Sequence, residues 1–384
     1  MSVDLAEPAS PPPSDAEWQA LADLLAQADV QLDGDRPWDM RVHHRPGLAR
    51  RLLGGASMGL GESYMDGWWS APAPDQLLAR LIAARLNEQL HPPHLLWHLA
   101  KARVLNLQTA RRAWQVGQQH YDLGNDFYAA MLDARMAYSC GYWQAGAATL
   151  DEAQDHKLDL VCRKLGLKPG MRLLDIGCGW GSLMKFAAER FGVSCVGVTI
   201  SVEQAQLGRQ LCAGLPIDFR LQDYRELDER FDRIASIGMF EHVGHKNMDA
   251  YMGVARRCLV EDGLFLLHTI GRNDSSHGTD PWIHRYIFPN GELPSIARIG
   301  QACEPHFVIE DLHNFGADYD RTLMCWHERF VTAWPRFSDE LGERFFRMWR
   351  YYLLCSAAAF RVRDIQLWQW VLSPRGVRGG YRRP

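Results

Sequence analysis

The order of hydrophobic periodicities between about residue 116 and residue 270 predicts a doubly wound α/β fold, preceded by a small, mostly helical amino-terminal domain. Three observations point there: short apolar runs of strand length alternate with helix-length runs, the connections are brief, and a glycine-rich loop follows the first apolar run. Asp151 to Leu165 has helical spacing and is stopped by Gly166, and Lys168-Pro169-Gly170 turns the chain into a strand at Met171 to Asp175. After the glycine loop come a helix to about Arg190, a strand at Ser194 to Val198 and a helix from Ser201 to Ala213. Strands at Ile217 to Leu221 and Arg233 to Ile237, a helix at Met248 to Cys258 and a long strand at Gly263 to Ile270 complete the pattern. Strands separated by helices in this order make a parallel sheet covered on both faces, with ligands at the carboxyl ends of the strands.

Upstream, the Pro/Ser/Ala tract at Pro8 to Pro13 belongs to a flexible tail over residues 1–14, followed by the amino-terminal domain over 15–115 and the larger domain over 116–384. Ser14-x-x-Glu17 reads as a capping box, and Trp18, Leu21, Leu24, Leu25 and Ala28 continue at helical spacing. Arg36 to Ser70 reads as short segments broken by Gly54-Gly55, Gly59, Gly61 and Gly67, with Tyr64, Trp68 and Trp69 near its end. Residues 74–114 read as largely helical. The stretch Leu95 to Trp114 interleaves Leu and Trp with Lys101, Arg103, Arg111 and Arg112, which suits either a bilayer surface or a domain-packing helix.

With 384 residues, 47% of them hydrophobic and 23% charged, the chain has the balance of a soluble globular protein. No apolar run approaches the roughly 18 residues of a spanning helix, and Met1-Ser2-Val3-Asp4 does not open a signal peptide, so a cytoplasmic location is expected. Nine cysteines without Cys-x-x-Cys or Cys/His spacing disfavour a disulfide framework and a zinc site, and no metal is expected. The formal net charge is −4, but it is unevenly spread. Residues 1–35 hold eight acids and no Lys or Arg, residues 36–115 hold eleven Lys/Arg against five acids, and residues 374–384 hold four Arg and no acid. Basic zones favour phosphate-bearing partners, and charge alone does not choose between an anionic membrane and nucleic acid.

Asp175-x-Gly177-Cys178-Gly179-x-Gly181 places glycines at alternate positions between a strand and a helix. Bare backbone there lets a ligand lie close, beside free N–H groups at the helix start. The spacing is not the Gly-x-Gly-x-x-Gly of dinucleotide folds, and it suits a cofactor without phosphates. S-adenosylmethionine fits, because Asp175 and backbone polar groups can meet its cationic amino acid end. Two later strands run into Gln222-Asp223-Tyr224, suited to an adenine amine, and Gly238-Met239-Phe240-Glu241-His242, at the same edge of the sheet.

Taken with His120-Tyr121-Asp122-Leu123-Gly124-Asn125-Asp126-Phe127, Tyr138-Ser139-Cys140-Gly141-Tyr142-Trp143 and Asn314-Phe315-Gly316-Ala317-Asp318-Tyr319, these stretches resemble the cyclopropane fatty acid synthase family. The likeness runs from about Arg36 to Arg378 and includes Gly59 to Trp69 and Asp364 to Gln369. It implies a Rossmann-like, class I S-adenosylmethionine-dependent methyltransferase that turns cis double bonds of membrane phospholipids into cyclopropane rings. It also implies a homodimer working at the inner membrane surface, with a lipid-binding amino-terminal domain and no nucleic acid partner.

Residue by residue, the resemblance assigns the cofactor to Tyr138, Ser139 and the glycine loop, with Thr199, Ile200 and Gln204 on the ribose hydroxyls where related folds use an acid. It places a bicarbonate base among Cys140, Glu241, His268, the backbone of Ile270, and Tyr319. Tyr121, Tyr138, Phe240 and Tyr319 are the aromatic faces expected to steady positive charge on the acyl chain. The family often has a cysteine five residues before the arginine matching Arg361; here that place is Ser356, beside Cys355. No protein nucleophile is therefore expected. Two other readings share these residues: methylation of a small molecule or to a methyl branch, and a membrane-binding protein without catalysis.

Overall fold

The computed structural model describes residues 14–90, 123–276 and 279–384. The Pro tract, the stretch Leu95 to Trp114 and the first three residues of the His120 motif, His120, Tyr121 and Asp122, lie outside the described residues. The amino-terminal part contains α1 (Asp15–Ala26), β1 (Arg41–Val42), α2 (Leu48–Met65), β2 (Trp69–Ser70), α3 (Pro74–Ala83) and α4 (Leu86–Gln89). Ser14 and Glu17 form the expected reciprocal cap of α1. The glycine-punctuated stretch, read as short segments, is instead a long helix kinked at Ala56. Its glycines permit close packing: a Cβ on Gly61 would run into the Trp282 ring.

The larger part begins with α5 (Asn125–Met131) and α6 (Leu150–Lys164), the latter capped reciprocally by Thr149 and Glu152. Then follow β3 (Arg172–Ile176), α7 (Ser182–Phe191), β4 (Ser194–Thr199), α8 (Val202–Leu211), β5 (Ile217–Leu221), β6 (Phe231–Ile237), α9 (Met248–Cys258) and β7 (Leu259–Arg272). Past the stretch the sequence resolved into elements lie α10 (Pro281–Tyr286), α11 (Ile296–Cys303), β8 (Val308–Asn314), α12 (Ala317–Ala333), α13 (Ser338–Arg361) and β9 (Ile365–Ser373).

Seven strands form one sheet in the order β5-β4-β3-β6-β7-β9-β8. The pairs from β5 through β7 are parallel, as expected. The sheet is not wholly parallel, however: β9 runs antiparallel to both β7 and β8. A single crossover helix carries a chain back to the starting edge of a sheet, so the next strand is parallel. Two long helices, α12 and α13, separate β8 from β9 and return the chain to the edge it left, so β9 runs down between its neighbours. The fold is thus a doubly wound, Rossmann-like α/β sheet with one reversed strand.

Separate apolar cores cover the two sheet faces, and another runs from Leu21 and Leu77 to Tyr128, Trp326 and Leu353. Helix α13 packs on α2, α3 and α12. Arg361 ties three of these helices together, at 2.7 Å from Asp75 and 2.9 Å from Asp320. No helix among the described residues is long and apolar enough to cross a membrane.

Candidate active site

The turn from β3 to α7 is made of backbone that side chains tolerate poorly. Gly177, Gly179 and Gly181 hold φ of +83°, +54° and +87°, left-handed conformations that suit glycine. A Cβ on Gly177 would press on Met239 and one on Gly181 on Phe219, whereas Gly179 faces open space. That space is one end of a continuous cavity of about 920 Å3. Asp175, Gly177, Cys178 and Gly179 line it from β3, and Thr199, Ile200 and Gln204 from the end of β4. Gln222, Asp223 and Tyr224 line it from the end of β5, and Tyr138 and Ser139 close it from the other side. Gly181 does not reach the cavity; its bareness lets the turn close over Phe219.

Local hydrogen bonds preset this end. The Thr199 hydroxyl donates to Gln204 Oε1 at 3.0 Å. Asp223 accepts from the Arg225 amide at 3.0 Å and pairs with its guanidinium at 2.9 Å, so it caps the turn while lining the cavity. Beneath them Lys157, fully buried, donates to the Ser139 hydroxyl at 3.0 Å. Burial lifts the Asp175 carboxyl to about 7 against the pull of Lys157, and lowers Lys157 to about 8.

Deeper in, Glu241, His268, Ile270 and Tyr319 line the same cavity. The Ile270 amide donates to Glu241 Oε1 at 2.7 Å, so this N–H points at the carboxylate instead of standing open for a ligand as expected. Glu241 Oε2 and His268 Nε2 are both buried without a hydrogen-bond partner among the described residues. Unpaired buried polar atoms cost about 1–3 kcal/mol each, and both of these belong to residues that line the cavity. Burial raises Glu241 to about 7, with the Ile270 amide working the other way; burial also keeps His268 neutral, well below its ordinary value.

Folding therefore raises the Glu241 pKa from 4.5 to about 7. Its stabilising contribution is complete below the lower value and is lost as the pH rises through the higher one. Glu241→Gln is expected to melt a few degrees above the parent protein at pH 8 and level with it near pH 4.5, by calorimetry of the ligand-free protein. An equal difference at both pH values would show that Glu241 is not a strained buried acid.

The sequence matches the family described as mycolic acid cyclopropane synthetase over residues 108–370. The chain belongs to that family.

Among individual relatives, a cyclopropane-fatty-acyl-phospholipid synthase of Escherichia coli (strain K12) is 53% identical over 385 residues, covering 100% of this chain and 99% of the relative. The solved cyclopropane synthase MmaA2 from Mycobacterium tuberculosis is 33% identical with a TM-score of 0.64, covering 67% of this chain and 97% of that one. The mycolic acid cyclopropane synthase CmaA1 complexed with SAH and CTAB is 35% identical, with a TM-score of 0.64 and coverage of 67% and 97%. The chain is therefore an S-adenosylmethionine-dependent methyltransferase.

Besides Gly181, two expected site residues sit away from the cavity. Cys140 is fully buried, its thiol donates to Gly141 O at 3.1 Å, and it is not among the cavity-lining residues. Phe240 turns under the sheet against Tyr251. Tyr138 and Tyr319 do face the cavity, joined by Tyr351, Tyr352 and Phe360 from α13; the Tyr138 and Tyr352 hydroxyls share a hydrogen bond of 2.9 Å.

The α13 aromatics and the two buried lysines, Lys157 and Lys164, escaped the sequence reading. Both lysines fall on the buried stripe of α6 with Ala153, Leu158 and Val161. A lysine on an apolar stripe is a readable sign, because burial of its charge demands a partner. The Trp180 indole N–H, inside the glycine turn, donates to Asn125 at 2.8 Å.

Proposed function

We propose that this chain transfers a methylene group from S-adenosylmethionine to the cis double bond of unsaturated acyl chains in membrane phospholipids, closing a cyclopropane ring, with bicarbonate as the base. The observation that carries the reading is the continuity of the cavity. From the cofactor turn it passes Glu241 and His268, and it ends among Leu21, Leu25, Leu52, Leu78, Leu81 and Leu86 of the amino-terminal helices. One arm thus suits a polar cofactor and the other a hydrocarbon chain. The E. coli relative's name, at 53% identity over the whole chain, supports the same substrate class.

The residues fit both groups. The bare Gly179 backbone with Asp175, Lys157 and Ser139 offers both charges and a hydroxyl to an amino acid tail. The orphaned Glu241 Oε2 and His268 Nε2 offer an acceptor and a donor, the set a bicarbonate hydroxyl and oxyanion require. When bound, S-adenosylmethionine supplies an electrophilic methyl group and bicarbonate a weak base.

The chain's own work is alignment, dryness and charge. Holding an acyl chain in a fixed slot supplies on the order of 7–11 kcal/mol toward the barrier in favourable cases. The faces of Tyr319, Tyr352 and Phe360 shut out water and steady positive charge on the acyl chain, at about 0.5–2 kcal/mol each. Glu241, held by the Ile270 amide, and His268 orient the base next to that chain. Cys355 donates its thiol to Tyr352 O at 3.3 Å, and burial pushes its pKa up. It stays protonated, which suits a direct transfer without a protein nucleophile.

Attachment to a phospholipid surface and homodimer formation are proposed on the family resemblance. Much of the positive charge that sequence alone assigns to the surface is neutralised within the described residues. Arg36 and Arg80 pair with Asp29, Arg50 with Glu17, and Arg51 with Glu62 and Asp66.

To test the function, the purified protein is incubated with S-adenosylmethionine and vesicles of cis-unsaturated phospholipid, and the extracted acyl chains are weighed and chromatographed. The expected product gains one methylene unit and elutes as a ring. Unchanged lipid, or a methyl-branched chain, would overturn the assignment.

A further inference from the structure

Strand register sets three polar side chains in one row across the sheet. His268 of β7 lies opposite Gln369 of β9, and Gln369 lies opposite His313 of β8. All three are buried. Lys164, at the end of α6 and 0% exposed, reaches this row from below. Its Nζ donates to Gln369 Oε1 at 2.9 Å and meets His313 Nδ1 at 3.0 Å, with Asp311 at 4.0 Å. Gln369 Nε2 in turn meets His268 Nδ1 at 3.1 Å.

Burial lowers Lys164 to about 7; below that pH its ammonium group has donors and no acceptor. Whatever faces Lys164 must therefore accept, which fixes the Gln369 amide with its oxygen toward the lysine and its NH2 toward His268. An amide NH2 can only donate, so Nδ1 of His268 must be bare. A neutral imidazole then carries its single proton on Nε2, the atom that has no partner among the described residues.

The basic carboxyl-terminal stretch, which the cavity chemistry leaves unused, seals the far side of this row. The Tyr381 hydroxyl donates to Lys164 O at 3.0 Å, and Arg383 pairs with Asp311 at 2.6 Å.

We propose that Lys164, when charged, and Gln369 are positioning residues that lock His268 in the tautomer carrying its proton on Nε2, so that His268 offers a hydrogen-bond donor to the cavity that Glu241 also lines. The tautomer follows from the polarity of the row alone; its consequence for turnover rests on the function proposed above.

The test uses the full chain labelled with 15N at histidine, with His268→Gln identifying the signal. Long-range proton–nitrogen correlation of the parent protein is expected to show His268 neutral, bare at Nδ1 and protonated at Nε2. In Gln369→Glu the carboxylate can accept from Nδ1 and also pair with Lys164, so Nδ1 should gain a proton while the fold survives. Turnover should fall about 10–100-fold, the usual cost of losing a supporting hydrogen bond, with KM for S-adenosylmethionine within about twofold. Lys164→Met, which frees the amide to turn, should give mixed tautomers and serves if the first variant does not fold.

A parent protein with the His268 proton on Nδ1, or Gln369→Glu retaining full turnover, overturns the relay. Ring formation alongside the wrong tautomer would sink the relay and spare the function; the right tautomer without any lipid product would do the reverse.

Discussion

Glu241→Ala is expected to lose about 10²–10⁴-fold in kcat, the range attached to removing acid–base machinery, while its affinity for S-adenosylmethionine changes by no more than about threefold. The reason is geometric. The cofactor end of the cavity is built by the turns after β3, β4 and β5, whereas Glu241 follows β6 and is held by the Ile270 amide of β7. Truncating it strips the orphan site of its acceptor and leaves the glycine turn alone. Turnover of labelled donor on phospholipid vesicles, set beside calorimetric binding of the donor, separates the two effects. Equal losses in both would mean that Glu241 holds the cofactor and does not serve a base.

The second large effect belongs to Gly179. Its φ of +54° and the empty space beyond it mean that a valine there is strained and also fills space proposed for the cofactor. Strain and overpacking of this kind cost about 1–3 kcal/mol, and each 1.4 kcal/mol is about a factor of ten in affinity. Gly179→Val should therefore bind the donor about 10–100-fold more weakly while its circular dichroism remains that of the parent protein. Undiminished binding would move the cofactor away from the β3–α7 turn.

Much of this arrangement was legible before any coordinates. Strands β3 to β7 and their helices announce themselves through local periodicity and turn residues, so β5 and α9 coincide with the expected ranges and the other boundaries mostly shift by a residue or two. The run to Asp175 and the alternating glycines located the turn that lines one end of the cavity because local backbone conformation dictates residue type there. The direction of β9 was not legible: Ile365 to Ser373 is buried along nearly its whole length, and a strand covered on both faces carries no sign of which way it runs.

The aromatic wall from α13 has readable helical spacing, but its role depends on a chain return of fifty residues between β8 and β9. Cys140 and Phe240 show the converse limit. A motif transfers residue identity along the chain, whereas the direction of a side chain is decided by packing: the Cys140 thiol turns to Gly141, and Phe240 turns to Tyr251. Lys164 and Gln369 lie 205 positions apart, a separation at which only strand register brings two such groups together.

The central claim is that a water-excluding cavity brings a double bond to a methyl donor beside a base held by Glu241 and His268. Its most direct test is donor carrying a trideuterated methyl group, turned over on cis-unsaturated phospholipid vesicles, with the product read by mass and nuclear magnetic resonance. The expected product keeps two of the three deuteriums, both on the new carbon of a three-membered ring, with no olefinic proton left. Product retaining all three deuteriums, or carrying a hydroxyl taken from water, would contradict it.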